Sequence, residues 1–421
     1  MKNKLLPLYI TNFLLVFDDN LLKSLICFIS ISWVSAEYKS IVMSLATGFL
    51  VLPFILFSPY SGFLSKTLNK QKFVVILKIA EILTAMIAIV GFWIENIYIA
   101  FFAIFLMGLQ GTFFSPLKFA LVRDIGGEEK SSIGTGTVEM TTFYGVLIGT
   151  SVAGLLSDID VKYRIFWVGF VFLLITFSGL YTALKIKAVE PKPLTIKIMP
   201  LNFATYIIRK FKWSKRSVPG LNNVVLGLSL FWLVASLIQL NLYIHCRDFL
   251  QISSTQTGII LALVAVSIGT GSFLSGLVAK DKVEMGLIPL GGTGFIISIF
   301  AIYFFNPKGI AFIILIMCAA LTAGFFKTPL NAWMQVKVKG RRLGDAVAYN
   351  NMMNFVFILF SAAIFGFVPE SPVKSRIVFL IVGILSVFMI VLLTLKTKGV
   401  AESVKRLLKI NTNGQKGQNI T

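Results

Sequence analysis

The chain has 421 residues, of which 57% are apolar and 14% charged, and its mean hydropathy is +0.86. Soluble domains carry about a quarter charged residues, so the composition argues against a soluble enzyme, a secreted scaffold or a disordered chain and for a multi-spanning membrane protein. The net charge of +21, from 39 Lys and Arg against 18 Asp and Glu, then reads as basic loops beside anionic lipid rather than as a nucleic-acid surface.

A helix crosses a bilayer with about 20 largely apolar residues. The sequence predicts twelve such spans, at 5–33, 40–65, 73–94, 97–123, 131–157, 163–185, 219–246, 254–279, 284–305, 309–336, 343–368 and 373–396. Span 1 carries Asp18, Asp19, Asn20 and Lys23 and has no small-residue cleavage site, so it is not a cleavable signal peptide. Asp19 and Lys23 are four residues apart and share a helix face, where they can pair. A charge within a span costs several kcal/mol, so two readings stand: an ion pair that fixes packing, and a polar lining to a cavity or gate. Lys78 and Glu81 near the start of span 3 read as a local pair at the helix end with no functional role.

Span 4 places Gln110, Phe114 and Lys118 at i, i+4 and i+8, one stripe on one face, with Pro116 removing a backbone hydrogen bond nearby. Lys118 either meets a ligand or snorkels to the cytoplasmic end of its span. Span 5 carries Glu139, Thr141 and Thr142, and then Gly145, Gly149 and Gly154 after Gly136. The glycines resemble the motif of major facilitator antiporters, except that Thr150 stands where that motif has proline; close helix packing explains them without antiport.

The polar linker from about Ile186 to Pro219 is rich in Lys and Arg, and Leu201–Trp213 within it has the pattern of an amphipathic helix on the membrane surface. Span 7 brings Trp232, Gln239 and Asn241. Span 10 repeats the polar stripe with Lys327, Asn331 and Gln335 around Pro329, and span 11 adds Asn350, Asn351 and Asn354. The tail from Lys396 is short and basic, with no acyltransferase domain expected after span 12. Cys27, Cys246 and Cys318 have no paired spacing and His245 is the lone histidine, so no metal site or disulfide framework is indicated. No glycine-rich phosphate loop with a following Lys-Ser/Thr is present, so no nucleotide cofactor is expected.

Two segments recur. Ser61–Lys66 matches Ser275–Lys280 at an offset of 214, and Phe113–Lys118 matches Phe326–Asn331 at an offset of 213. An even number of spans per repeat makes this a parallel duplication, the symmetry of the major facilitator architecture, with substrate handled near mid-membrane. The expected domains are an N-terminal six-helix bundle (1–185), a cytoplasmic basic linker (186–218), a C-terminal six-helix bundle (219–396) and a cytoplasmic tail (397–421). With both termini inside, 29 of the 39 basic residues fall on the cytoplasmic side and seven on the other, which sets the orientation.

The segments Phe17–Lys23, Gly108–Phe119, Val138–Phe143, Glu284–Gly291 and Gly324–Ala332 are together similar to the bacterial lysophospholipid transporter family, including the transporter half of bifunctional acyltransferase proteins. The resemblance covers the chain to about residue 396. It implies an all-α protein of the bacterial inner membrane that moves lysophospholipids such as lysophosphatidylethanolamine inward by alternating access. A separate acyltransferase is then a candidate partner. It also implies that Asp19 and Lys118 belong to the substrate path and that Glu139 corresponds to the family's span 5 Glu. Some members carry an Arg in span 7 where Gln239 stands here, so a charged gate has to be built differently.

The candidate substrate-binding residues are therefore Asp19, Asn20, Gln110, Phe114, Lys118, Glu139, Trp232, Gln239, Lys327, Asn331 and Asn351, with Asp19 and Lys23 as a candidate gating pair and no catalytic residue. Lys118 suits a phosphate as a point charge, Asp19 or Glu139 suits an ammonium, and Phe113, Phe114, Phe119 and Trp232 suit a tail. The alternative is a proton-coupled exporter of amphipathic drugs or another solute, with Asp19 or Glu139 carrying the proton. A non-transporting membrane receptor is a third class.

Overall fold

Inside a bilayer no water satisfies backbone N–H and C=O groups, so apolar stretches of this length become helices. The computed structural model describes residues 4–29, 32–187, 202–279, 283–338, 341–368 and 373–396, without the side chains of residues 36, 66–67, 123, 127–133, 135–136, 139 and 341–344. The linker stretch 188–201 and the tail 397–421 lie outside the described residues.

Among the described residues the regular structure is helical throughout. Twelve helices run in chain order: α1 (Leu6–Ile29), α2 (Lys39–Thr67), α3 (Lys70–Trp93), α4 (Ile97–Ser157), α5 (Val161–Leu184), α6 (Phe203–Ser217), α7 (Leu221–Ile244), α8 (Ser254–Ala279), α9 (Leu287–Phe305), α10 (Gly309–Lys337), α11 (Arg341–Phe367) and α12 (Lys374–Lys396). Eleven stretches among them are long and apolar enough to cross a membrane, two of which, Ile97–Gly126 and Met140–Ser157, belong to α4. α1 is of the same length but carries Asp18, Asp19 and Lys23. With it the stretches correspond to the twelve expected spans.

One expectation changes. Spans 4 and 5 are joined by an unbroken helical path of 61 residues rather than by a loop. The path still reverses: a Cβ on Gly134 would stand 2.5 Å from Val122 Cγ1, whereas twelve residues of straight helix separate two positions by about 18 Å. The charges at Asp124, Glu128, Glu129 and Lys130 signal an interruption of the membrane span, but Glu and Lys are good helix formers. The Gly126–Gly127 pair permits the bend.

Helix starts follow the polar residues that precede them. Asn69 accepts from Lys72 N, Asn96 from Tyr98 N and Ile99 N, and Asp160 from Lys162 N, each satisfying donors a helix leaves open. α7 begins after Gly220, whose φ of +94° admits glycine readily. α6 is the amphipathic helix the linker predicts. Phe203, Ile208 and Phe211 are exposed along one side of it, and Lys210 pairs with Asp345 at 2.5 Å.

The chain divides into two compact units. The first comprises Met1–Tyr206, Cys246–Ala262 and Ala362–Glu370, and the second Ile207–His245, Leu263–Ser361 and Ser371–Thr421. In the first unit α1 lies directly against α4. A Cβ on Gly149 would come within 2.4 Å of Phe17 O, and one on Gly145 within 2.9 Å of Phe13 O. The span 5 glycines at 145 and 149 are thus the flat surface that lets α1 approach. The second unit has the same device between α8 and α10, where a Cβ on Gly271 would meet Leu321 O at 1.9 Å.

The end of α4 also holds the start of α8. The Asp158 carboxylate accepts from Ser254 N at 3.2 Å and Thr255 N at 2.7 Å. Partial burial pushes this carboxyl up, but hydrogen bonds from Thr255, Ser253 and Ser254 outweigh it and hold the group below its usual range. A carboxyl depressed in the folded state stabilises above its unfolded value and loses that contribution as pH falls through the folded one. The cap should therefore persist at neutral pH and weaken only in acid, below about pH 4. Asp158→Ala should lower stability by about 0.5–1 kcal/mol at pH 7, a range set low because the group is mostly exposed. Thermal unfolding of both proteins at pH 7 and near pH 3 checks this; a gap that is undiminished in acid would remove the carboxylate from the explanation.

Candidate functional site

Each unit holds a cation in a polar group embedded among apolar helices. In the first unit Lys118 of α4 is half-buried, and its Nζ donates to Asn12 Oδ1 at 3.0 Å. Asn12, fully buried on α1, donates from Nδ2 to Val138 O, Thr141 Oγ1 and Thr142 Oγ1 at 3.2, 2.9 and 3.1 Å. The ammonium also lies 5.3 Å from the centroid of the Phe119 ring, within the reach of a cation–π interaction. Lys118 is therefore held inward by a buried amide rather than extended along the helix, which disfavours the snorkelling reading.

Asp19 is half-buried, and its carboxylate makes no hydrogen bond among the described residues. A Cβ on Gly111 would meet Phe54 Cζ at 2.9 Å and Asp19 Oδ2 at 3.5 Å, so the glycine lets the Phe54 ring of α2 and the acid pack against α4. Lys118 is among the charges that act on Asp19. Asn20 donates to Val16 O of its own helix at 2.8 Å, and Gln110 donates to Thr84 Oγ1 at 2.7 Å. Lys23 is buried. Phe114 is buried in a cluster with Leu117, Leu121 and Val74. Glu139 lies on α4, and its side chain falls outside the described residues.

Deeper in the same unit, Lys78 Nζ donates to both Glu81 oxygens, at 2.9 and 2.7 Å, with side-chain exposures of 0% and 3%. The local pair is as the sequence indicates, but it sits in the interior of the bundle. Next to it, Asp18 is buried and neither of its carboxylate oxygens has a hydrogen-bond partner among the described residues. Glu81, Asp19 and Lys78 are the charges acting on it.

In the second unit Lys327 of α10 is half-buried, its Nζ 5.0 Å from the Trp232 ring and 5.6 Å from the Phe231 ring, both on α7. The Asn354 amide satisfies its neighbours with its oxygen accepting from Trp232 Nε1 at 3.3 Å and Asn350 Nδ2 at 3.2 Å, and its nitrogen donating to Ser229 Oγ at 3.1 Å. This network fixes the indole on which the ammonium rests. Asn331, Asn351 and Gln239 are half-buried. Among the described residues no three His, Cys, Asp or Glu converge as a metal group.

Sequence reasoning missed Asn12, the partner of Lys118, and left Asn354 and Ser229 out of the site. A buried amide in an apolar span needs hydrogen-bond partners, and that signal marks Asn12 in span 1. Ser229 carries no such mark.

The Major Facilitator Superfamily model matches residues 8–362. The lysophospholipid transporter LplT of Photorhabdus laumondii is 23% identical over 323 residues, which are 76% of this chain and 77% of the relative. LplT of Yersinia pestis is 24% identical over 268 residues, so the match spans 63% of this chain and 64% of that relative's length. Among solved structures, the human organic anion transporter MFSD10 superposes with a TM-score of 0.68 at 13% identity, covering 92% of this chain and 98% of that one. The xylose transporter XylE from E. coli, in an inward open conformation, gives 0.66 at 15% identity, covering 96% and 98%. At these identities the structural likeness is one of fold.

Proposed function

The chain belongs to the Major Facilitator Superfamily and is a multi-pass membrane transporter rather than an enzyme, and on that premise we propose that it moves lysophospholipids, such as lysophosphatidylethanolamine, across a bacterial inner membrane by alternating access. Residues 1–185 and 219–396 are its two six-helix halves, joined by the basic linker 186–218, with both termini in the cytoplasm. Lys118 and Lys327 are the cations for the substrate phosphate, and Asp19 and Glu139 are the acids for its ammonium. Asn20, Gln110, Phe114, Trp232, Gln239, Asn331 and Asn351 complete the path, and Asp19 with Lys23 serves the gate. A separate acyltransferase on the cytoplasmic side is the candidate consumer of the product.

What carries this reading is the pair of half-buried lysines. Each is set on an aromatic ring and held inside an apolar unit, in a chain whose relatives are named lysophospholipid transporters. A cation drawn into such surroundings needs an anion or strong dipoles to offset desolvation. A lysophospholipid offers a phosphate together with a tail compatible with the surroundings. Spheroplasts expressing the chain should take up labelled lysophosphatidylethanolamine above an unexpressed control. Correct insertion without uptake would overturn the proposal.

One observation favours a second reading, proton-coupled export of an amphipathic solute. An ionised carboxylate without hydrogen bonds is costly in an interior, so Asp18 is a place where a proton can be held. Lysolipid uptake that is insensitive to collapse of the proton gradient counts against this reading.

A further inference from the structure

α8 starts with two caps. One is local: Ser253 Oγ accepts from Gln256 N at 3.2 Å while Gln256 Oε1 accepts from Ser253 N at 3.0 Å, the reciprocal pairing that closes a helix N-terminus from its own sequence. The other comes from 96 residues away, where the Asp158 carboxylate takes the two donors in between, Ser254 N and Thr255 N. The four donors that a helix start leaves open are thus shared equally between a cap of its own and an acid at the end of α4. With Asp158 withdrawn, α8 keeps the local cap, and Ser254 N and Thr255 N, which are exposed, turn to water.

Beneath the second cap the helices meet along glycines. A Cβ on Gly154 would stand 2.5 Å from Ser254 O, and one on Gly258 3.3 Å from Ser151 Cα and from Thr150 O. A like seam joins α11 to α2, where a Cβ on Gly366 would stand 3.1 Å from Ser44 Oγ. On the halves proposed above, α8 and α11 belong to the C-terminal one, yet Cys246–Ala262 and Ala362–Glu370 fall in the first compact unit with α2 and the end of α4. Counting crossings from the N-terminus, with α4 crossing twice, puts both seams at the membrane face opposite the linker. The chain enters the first of these segments through irregular backbone, a π-helical turn at His245–Phe249 and then Gln251 at a φ of +54°. Both are features that proteins keep mostly where function needs them.

We infer that Asp158 is the latch of a gate at this face: its carboxylate holds the first turn of α8 on the end of α4, and the face opens when that turn lets go. The inference rests on the alternating-access reading above and not on the identity of the substrate. Asp158 acts through α8 rather than on substrate, which makes it a positioning residue. A latch has to hold and release at similar free energy, and an exposed acid has that property. Water replaces its hydrogen bonds as the helices part, so donors and acid stay bonded in either state. A pair closed to solvent, such as Lys78 with Glu81, does not open on those terms.

The test reads the α2–α11 seam while the α4–α8 seam is changed. Ser44→Cys places a thiol at the former, and its rate of reaction with a membrane-impermeant maleimide added to spheroplasts reports how often that seam is open. The chain without the new thiol gives the background from Cys27, Cys246 and Cys318. Asp158→Ala should raise the rate about two- to fivefold, the factor by which an exposed contact of this kind shifts an equilibrium, and Asp158→Asn should raise it less. Ser253→Ala is the control for a cap that merely stabilises α8: it should lower thermal stability as Asp158→Ala does and leave the labelling rate unchanged. Unchanged labelling in both Asp158 variants would overturn the inference. So would an equal rise in Ser253→Ala, because any loosening of α8 would then suffice. Labelling is measured without substrate, so the two readings fail separately. A raised rate in a chain that takes up no lysophosphatidylethanolamine keeps the latch and removes the substrate, and normal uptake with unchanged labelling removes the latch alone.

Discussion

Lys118→Ala is expected to abolish lysophosphatidylethanolamine uptake, and Asp19→Asn to do the same, with both proteins inserted at wild-type levels. A hydrogen bond to a charged group contributes about 1.5–3 kcal/mol, so losing the lysine contact alone costs uptake roughly ten- to a hundredfold. Loss of the point charge on the phosphate adds to that in a medium of low dielectric. The Lys118 variant has a second consequence. It leaves Asn12 Oδ1 without the ammonium that now donates to it at 3.0 Å, and an unsatisfied buried acceptor costs about 1–3 kcal/mol of stability. Lys118→Arg separates the two effects, because it keeps a charged donor near Asn12 while changing the geometry offered to a phosphate. Uptake and thermal stability are measured together. A Lys118→Ala protein that is less stable yet transports normally would assign the lysine to packing and remove it from the path.

Asp19 lacks that complication. Its carboxylate accepts no hydrogen bond among the described residues, and Asn has the shape of Asp, so the amide is accommodated with little rearrangement. Loss of uptake in Asp19→Asn at unchanged stability is the signature of a charge used by substrate or gate.

The long helices are legible in the sequence because in lipid a run of apolar residues has one way to satisfy its backbone. The repeat structure adds the parallel duplication, and the linker's alternation of Phe, Ile and Tyr with Lys and Arg gives α6. The approach of α1 to α4 is partly legible as well. Gly145 and Gly149 point to close packing, although the sequence does not say that Phe13 and Phe17 of α1 are what they touch. The path through 124–130 is not legible as a helix, because charge marks the edge of a membrane span without marking the end of a helix.

Within the candidate site, the sequence locates polar residues along each helix but not their rotation against other helices. Lys118 and Asn12 are 106 positions apart, and Trp232 and Lys327 are joined only when α7 and α10 face each other. The repeat also suggests more symmetry than the residues carry. Lys118 aligns with Asn331, and Lys327 aligns with Phe114, so the two cations are one helical turn out of register with each other. Phe114 is accordingly a core residue, buried with Leu117 and Leu121, where its counterpart is a half-buried lysine.

Lys78→Met is expected to be among the most destabilising single changes in the chain, because it removes one member of an ion pair that is closed to solvent. Burying two charges is expensive, and their mutual attraction offsets that cost only while both are present. The Lys78 ammonium reaches both Glu81 oxygens within 3 Å, at side-chain exposures of 0% and 3%. Without it the interior keeps two neighbouring acids, Glu81 and Asp18, and no nearby cation from α3 to oppose them. Breaking such a pair costs about 3–5 kcal/mol, whereas replacing both members with apolar residues of similar volume is often neutral or stabilising. The double variant Lys78→Met/Glu81→Met should therefore recover most of the loss. Thermal unfolding of the purified proteins measures the cycle, and wild-type stability in the single variant would mean that the pair is not closed to water. Uptake in the double variant then decides what the pair is for. Restored stability with normal transport makes it a packing device of α3. Restored stability with lost transport makes it part of a charge network with Asp18, and brings the proton-coupled reading forward.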